Sequence, residues 1–175
     1  PLLKSISCLM LYFSFVTVSQ AQVSLEALNI AYRQDFNLLP ATGTTNDLST
    51  LPIGWIFLET GSNANTTFAA GTGSSNAGNT YSLGLDAIDR AIGGLQSGSL
   101  IPIIGVSFTN NTGATINELN ISYTGEQWRL GATPRAQADR LDFQYSLNAT
   151  TLANGNWSDV DALDFNAPIL SGTVG

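Results

Sequence analysis

Three segments of the chain alternate apolar and polar residues with period two. Ile104, Val106 and Phe108 alternate with Gly105, Ser107 and Thr109. Leu119, Ile121 and Tyr123 alternate with Asn120, Ser122 and Thr124, and Leu141, Phe143 and Tyr145 with Asp142, Gln144 and Ser146. Successive side chains of a strand point to opposite faces, so this pattern predicts three half-buried strands with the nine apolar residues in the core. Beyond residue 30 no stretch sustains a helical period, and negligible helix is expected there.

Further strands are expected at residues 55–59, 66–70, 80–83, 90–95, 127–130 and 157–159. Asn110-Asn111-Thr112-Gly113 reads as a hairpin turn, because Asn and Gly accept positive φ at little cost. Residues 71–79 read as a Gly/Ser/Asn loop, residues 41–52 as a loop closed by Pro52, and Asn154-Gly155 as a turn. Asp86 is placed to cap one or two helical turns over residues 86–92, which Gly93-Gly94 would end. Gly125 is a candidate β-bulge that resets the alternation and turns Trp128 and Leu130 inward. Short strands at regular spacing predict an all-β fold, an antiparallel, jelly-roll-like β-sandwich.

The first residues differ from the rest. Lys4, the only lysine, precedes an apolar run over residues 6–18 that ends in Ser19-Gln20-Ala21. A positive start, a short apolar stretch and a small-x-small site make a secretory signal peptide, with cleavage after Ala21 leaving Gln22 first. This run of 13 residues falls short of the roughly 20 that a spanning helix needs. Cys8 lies at the start of the apolar run and not after it, and Ser5-Ile6-Ser7 is a poor lipobox. The expected organisation is a signal peptide at 1–21, a lead at 22–31 and a sandwich domain at 32–175. The expected destination is extracellular or at the cell surface, with no membrane span after cleavage.

Removing that segment removes Cys8 and Lys4. What remains has no Cys, His or Lys, and sets Arg33, Arg90, Arg129, Arg135 and Arg140 against thirteen acids, a net charge of −8. Such a surface repels phosphate backbones, so nucleic acid is not an expected partner of this domain. Triads of the Ser-His or Cys-His type are impossible without His and Cys, and the usual zinc, copper and haem ligands are gone. Gly71-Thr-Gly-Ser-Ser-Asn-Ala-Gly78 lacks the glycine spacing and flanking helix of a phosphate-binding loop. It reads instead as a surface loop.

Several motifs resemble those of an uncharacterised bacterial extracellular domain. They are Ser107-Phe-Thr-Asn-Asn-Thr-Gly113, Ile121-Ser-Tyr-Thr-Gly-Glu-Gln-Trp-Arg-Leu-Gly131, Asp139-Arg-Leu-Asp-Phe-Gln-Tyr-Ser146 and Trp157-Ser-Asp-Val-Asp-Ala-Leu-Asp-Phe165. The resemblance also takes in Gln34-Asp35-Phe36, Leu51-Pro-Ile-Gly-Trp55, Gly71-Thr-Gly73, Tyr81-Ser82 and Asp89-Arg-Ala91, and so spans roughly residues 32–175. Gly-Glu-Gln-Trp-Arg is its most specific part. The resemblance implies a domain behind a signal peptide at the head of a longer surface or secreted protein, some members of the family carrying nuclease or phosphatase domains downstream. It implies no activity and assigns no catalytic residue. Family members continue with further strands, so a fragment is expected here, with a groove of Phe, Ile and Tyr left open at its C-terminal side.

Candidate chemistry is sparse. Glu59, Glu118, Glu126, Asp142, Asp159, Asp161 and Asp164 offer carboxylates for a glycosidase pair, but acids are common on any acidic surface. Asp159, Asp161 and Asp164 are close enough in sequence to suggest calcium, although the spacing is not that of an EF-hand and a solvated strand edge explains them as well. Glu126, Trp128, Arg129 and Arg140, with Arg90 upstream, read either as a sugar-binding face with Trp128 as platform or as a structural ion-pair network around a core Trp128. The structural reading is preferred, since so few cations are expected to be paired. No cofactor is expected beyond that calcium. The expected function is a non-catalytic module for adhesion, for glycan or surface-protein contact, or for spacing. The alternative is an accessory domain of an extracellular hydrolase, a nuclease or phosphatase, whose catalytic domain lies beyond residue 175.

Overall fold

The computed structural model describes residues 21–174; the expected signal peptide, with Lys4 and Cys8, lies outside the described residues apart from Ala21. The chain is all-β. Its strands are β1 (Val23–Leu25), β2 (Asn46–Asp47), β3 (Trp55–Thr60), β4 (Thr67–Gly71), β5 (Asn79–Leu83) and β6 (Ala91–Leu95). They continue with β7 (Ile101–Val106), β8 (Phe108–Asn110), β9 (Arg140–Leu141), β10 (Gln144–Tyr145), β11 (Ser158–Asp159) and β12 (Phe165–Asn166). Two single 3-10 turns, Leu48–Thr50 and Asp161–Leu163, are the only helical elements among the described residues. No helix among them is long and apolar enough to cross a membrane.

Two assemblies of strands meet in the core. One is a four-stranded sheet of order β2-β4-β5-β6. Its β4 and β5 run parallel with Ala69 opposite Tyr81, and its other pairs are antiparallel. The other is the antiparallel β3–β7 ladder, six pairs from Trp55↔Val106 to Thr60↔Ile101. Alternation along β3 turns Trp55, Phe57 and Glu59 to one face, with Ile104 opposite Phe57. That face packs on the first sheet. Leu39, Leu51, Phe57 and Phe68 are buried together, with Phe36, Leu48, Trp55, Ile92 and Ile104 against them. Phe57 and Phe68 meet edge to face at 6.0 Å, and Phe36 and Trp55 at 4.6 Å, geometries that suit the aromatic quadrupole.

Strands expected near residues 55–59, 66–70, 80–83, 90–95 and 157–159 form within a residue or two. The turn chemistry is also present, with different consequences. Asn110 Oδ1 accepts from Thr112 N at 3.1 Å and Gly113 adopts φ +73°, but no strand pairs back, so the turn closes no hairpin. Asp86 Oδ1 accepts from Ile88 N and Asp89 N at 2.9 and 3.0 Å, yet no helix follows. Residues 91–95 go to β6 instead, because pairing with β5 satisfies five residues of backbone at once. Loop 41–52 contains β2 and the 3-10 turn. Val23, in the expected lead, is buried in β1, which pairs parallel to β8.

The core expectation needs correction. Residues 119–123 form no strand, and Leu119, Ile121 and Tyr123 are 59%, 45% and 46% exposed. Their alternate set, Asn120, Ser122 and Thr124, is exposed too, so the error is not a slipped register. Alternation marks a segment suited to a sheet, but a strand forms only where a neighbouring ladder accepts its backbone. The pattern at 141–145 is split: β9 pairs with β12 and β10 with β11, leaving Leu141 and Tyr145 exposed and Phe143 half-buried. Ile104 and Val106 face the core half-buried, whereas Phe108 begins β8 and is exposed. Residues 127–130 form no strand. Leu130 is buried and Trp128 half-buried. Gly125 is no bulge; the Phe165 ring lies so close that a Cβ would meet it at 2.1 Å.

Candidate functional site

Arg90 precedes β6 and is 4% exposed. Its guanidinium lies across the end of β5. Nε donates to Ser82 Oγ, Nη2 to Ser82 O and Nη1 to Asp86 O, each at 2.6 Å. Ser82 Oγ in turn donates to Pro40 O at 2.8 Å, and Arg90 N donates to Asn37 Oδ1 at 3.0 Å. Every one of these acceptors is neutral. No carboxylate among the described residues reaches ion-pairing distance of Arg90. Gly84 makes the arrangement possible, since a Cβ there would lie 2.8 Å from Nη1.

Beside Arg90 opens a cleft of about 450 Å³. Thr72, Ser74 and Ser75 of the β4–β5 loop form one wall, and Gly84, Leu85 and Asp86 another. Thr72 Oγ1 and Ser74 Oγ are 3.2 Å apart and share one hydrogen bond. Tyr81 Oη fixes the far end of the loop through Ser75 Oγ at 2.9 Å and Ala77 O at 2.8 Å.

Glu59, weighed as a possible catalytic acid, is buried, with both carboxyl oxygens hydrogen-bonded. Oε1 accepts from Thr80 N and Oγ1 at 2.7 and 3.0 Å, and Oε2 from Asn65 N and Nδ2 at 3.1 and 3.0 Å. Four donors satisfy a carboxylate as water would and leave it no free lone pair for acid–base work.

Of the expected ligand face, Glu126 and Trp128 are joined by a hydrogen bond from Trp128 Nε1 to Glu126 Oε2 at 2.9 Å. Arg129 reaches the β4–β5 loop, donating to Ser75 O and Asn76 Oδ1, while its Nε is buried without a partner. Arg140 bonds elsewhere, to Asp142 and, at 2.8 Å, to Asp164.

The three acids weighed for calcium are divided in the same way. Asp164 is half-buried, with its side chain 5% exposed; Oδ2 holds Arg140, and Oδ1 accepts from Phe143 N at 2.8 Å. Asp159 pairs with Gln144 in the β10–β11 ladder and Asp161 begins a 3-10 turn. Among the described residues no three Asp or Glu side chains gather as a metal site. Burial, and then the Asp164 charge, push the Tyr123 phenol above its ordinary value. At Asp47 the Ser49 backbone N–H, and then its hydroxyl, hold the carboxyl below its own.

Sequence reasoning placed Arg90 among the five cations, upstream of the candidate ligand face, and expected it to be ion-paired. A signal was present: an arginine four residues after a capping Asp, entering a Gly-rich strand, is placed to turn back over its own loop. Its principal partner, Ser82 eight residues earlier, is visible only once β5 and β6 pair. No protein-family model, curated protein or solved structure matches the chain.

Proposed function

We propose that this chain is a non-catalytic module of an exported bacterial protein, acting by contact with glycans or surface proteins. The observation that carries this reading is how the interior charges are used. Glu59 and Asp164, two of the carboxylates weighed for a glycosidase pair, spend their oxygens on backbone and neighbouring side chains. A glycosidase needs such a pair, held about 5–10 Å apart. The proposed architecture is a jelly-roll-like sandwich whose strands are mixed, with β1–β8 and β4–β5 parallel where an all-antiparallel arrangement was expected, supported by the packing of Phe57 on Phe68 between the two strand assemblies. The proposed address rests on the signal anatomy of residues 1–21, and the proposed bacterial source on the resemblance at Gly125–Arg129.

Incubation of the purified chain with plant and microbial polysaccharides, DNA and aryl phosphates tests the reading. No turnover is expected, alongside retention of the chain on at least one polysaccharide or cell-surface fraction. Turnover abolished by one Glu or Asp substitution would overturn it.

A further inference from the structure

Arg90 is a buried cation compensated only by neutral oxygens, and it borders the cleft just described. A guanidinium carries five N–H groups. Three are used, one on each nitrogen, which leaves one on each terminal nitrogen, the number a single carboxylate takes. Of the Thr72 and Ser74 hydroxyls only one donates to the other, so a further O–H is free at the same cleft. Ala41, Ala70 and Leu85 supply apolar wall. Charge, hydroxyl and apolar surface within about 450 Å³ match a sugar ring that carries an acid group.

We propose that the cleft beside Arg90 binds a uronic-acid residue of an acidic polysaccharide, its carboxylate taken by the Arg90 guanidinium. The proposal rests on the glycan-contact reading above and names its ligand class. Three hydrogen bonds fix the guanidinium before any ligand arrives, so little side-chain entropy is lost on binding. Asp86 opposes the anion from the rim. Its carboxylate is turned into its own loop, held by Ile88 N and Asp89 N, which limits that opposition without removing it.

Calorimetric titration of the full 175-residue chain at low salt with trigalacturonate, and with its fully methyl-esterified form, tests this. The acid form should bind at least about tenfold more tightly. Arg90 holds loops together and its replacement is liable to unfold the chain, so the decisive variants are at exposed Leu85, 83% accessible on the cleft rim. L85K should tighten trigalacturonate binding about threefold and L85E weaken it about threefold, with unchanged melting temperature. D86N should tighten it as well. Equal affinity for acid and ester, or Leu85 variants that leave the affinity unmoved, would overturn the proposal. Chain-length analysis of the recovered sugar separates the two readings. An intact, unbound trimer sinks the uronate proposal alone, while a shortened trimer sinks the non-catalytic one.

Discussion

Glu59 on β3 and Thr80 on β5 are joined twice through one carboxylate oxygen, to the backbone N–H at 2.7 Å and to the hydroxyl at 3.0 Å. Both residues are buried. The same carboxylate holds both amide groups of Asn65 with its other oxygen, so it ties the β3–β7 ladder, the β3–β4 turn and the four-stranded sheet together. E59Q keeps the shape but turns an N–H₂ toward donors on one side. We expect it to lower unfolding free energy by about 2 kcal/mol in urea titration. A loss below about 0.5 kcal/mol would mean that the carboxylate is not a structural tie.

Removal of Phe68, wholly buried in β4, should cost roughly 3–5 kcal/mol. L119S and I121S should change stability by no more than about 0.5 kcal/mol, because both side chains already meet water. Chemical denaturation of the three variants compares the core on β3 and β4 with the core that alternation alone suggests.

Tyr123 donates its hydroxyl to Leu163 O and stacks on Phe143 at 6.2 Å. Its phenol is raised above the ordinary value of 10.0, so the folded chain favours the neutral form. That contribution is fully present below pH 10 and is lost as the pH rises through the folded value. Y123F should lose the alkaline fall in stability that the parent shows, measured as melting temperature from pH 8 to 11.5. Asp47 works in the opposite sense. Its lowered carboxyl supports the Leu48–Thr50 turn above about pH 3.8 and releases it in acid.

D164N should weaken the β9–β12 ladder, since Asp164 holds both Arg140 and Phe143 N. A loss of roughly 1–3 kcal/mol is expected. D159N and D161N should leave the melting temperature unchanged, with or without millimolar calcium. A calcium-dependent rise abolished by either would restore the metal reading.

The chain's β character was legible because its strands are short, alternate and are bounded by Asn, Gly and Pro. What alternation could not reveal was which segments find partners. Residues 101–106 lie opposite Trp55–Thr60 and make a ladder; residues 119–123 carry as clean a pattern and make none. Pairing is a long-range property, and the sequence pattern is local. Arg90 was obscured for the same reason: Ser82 and Asn37 reach it only through the closed fold, and a rule that pairs cations with acids points away from carbonyl and hydroxyl partners.

Hydrogen–deuterium exchange along the full chain tests most directly the claim that the ordered core, with the Arg90 cleft on it, is built by residues 36–106. Amides of β3, β5 and β7 should exchange slowest, those of residues 81–83 and 90–92 around the cleft should follow, and those of residues 114–138 should exchange within seconds to minutes. Protection of residues 119–123 equal to that of β3 would contradict the account and place the core where alternation alone puts it.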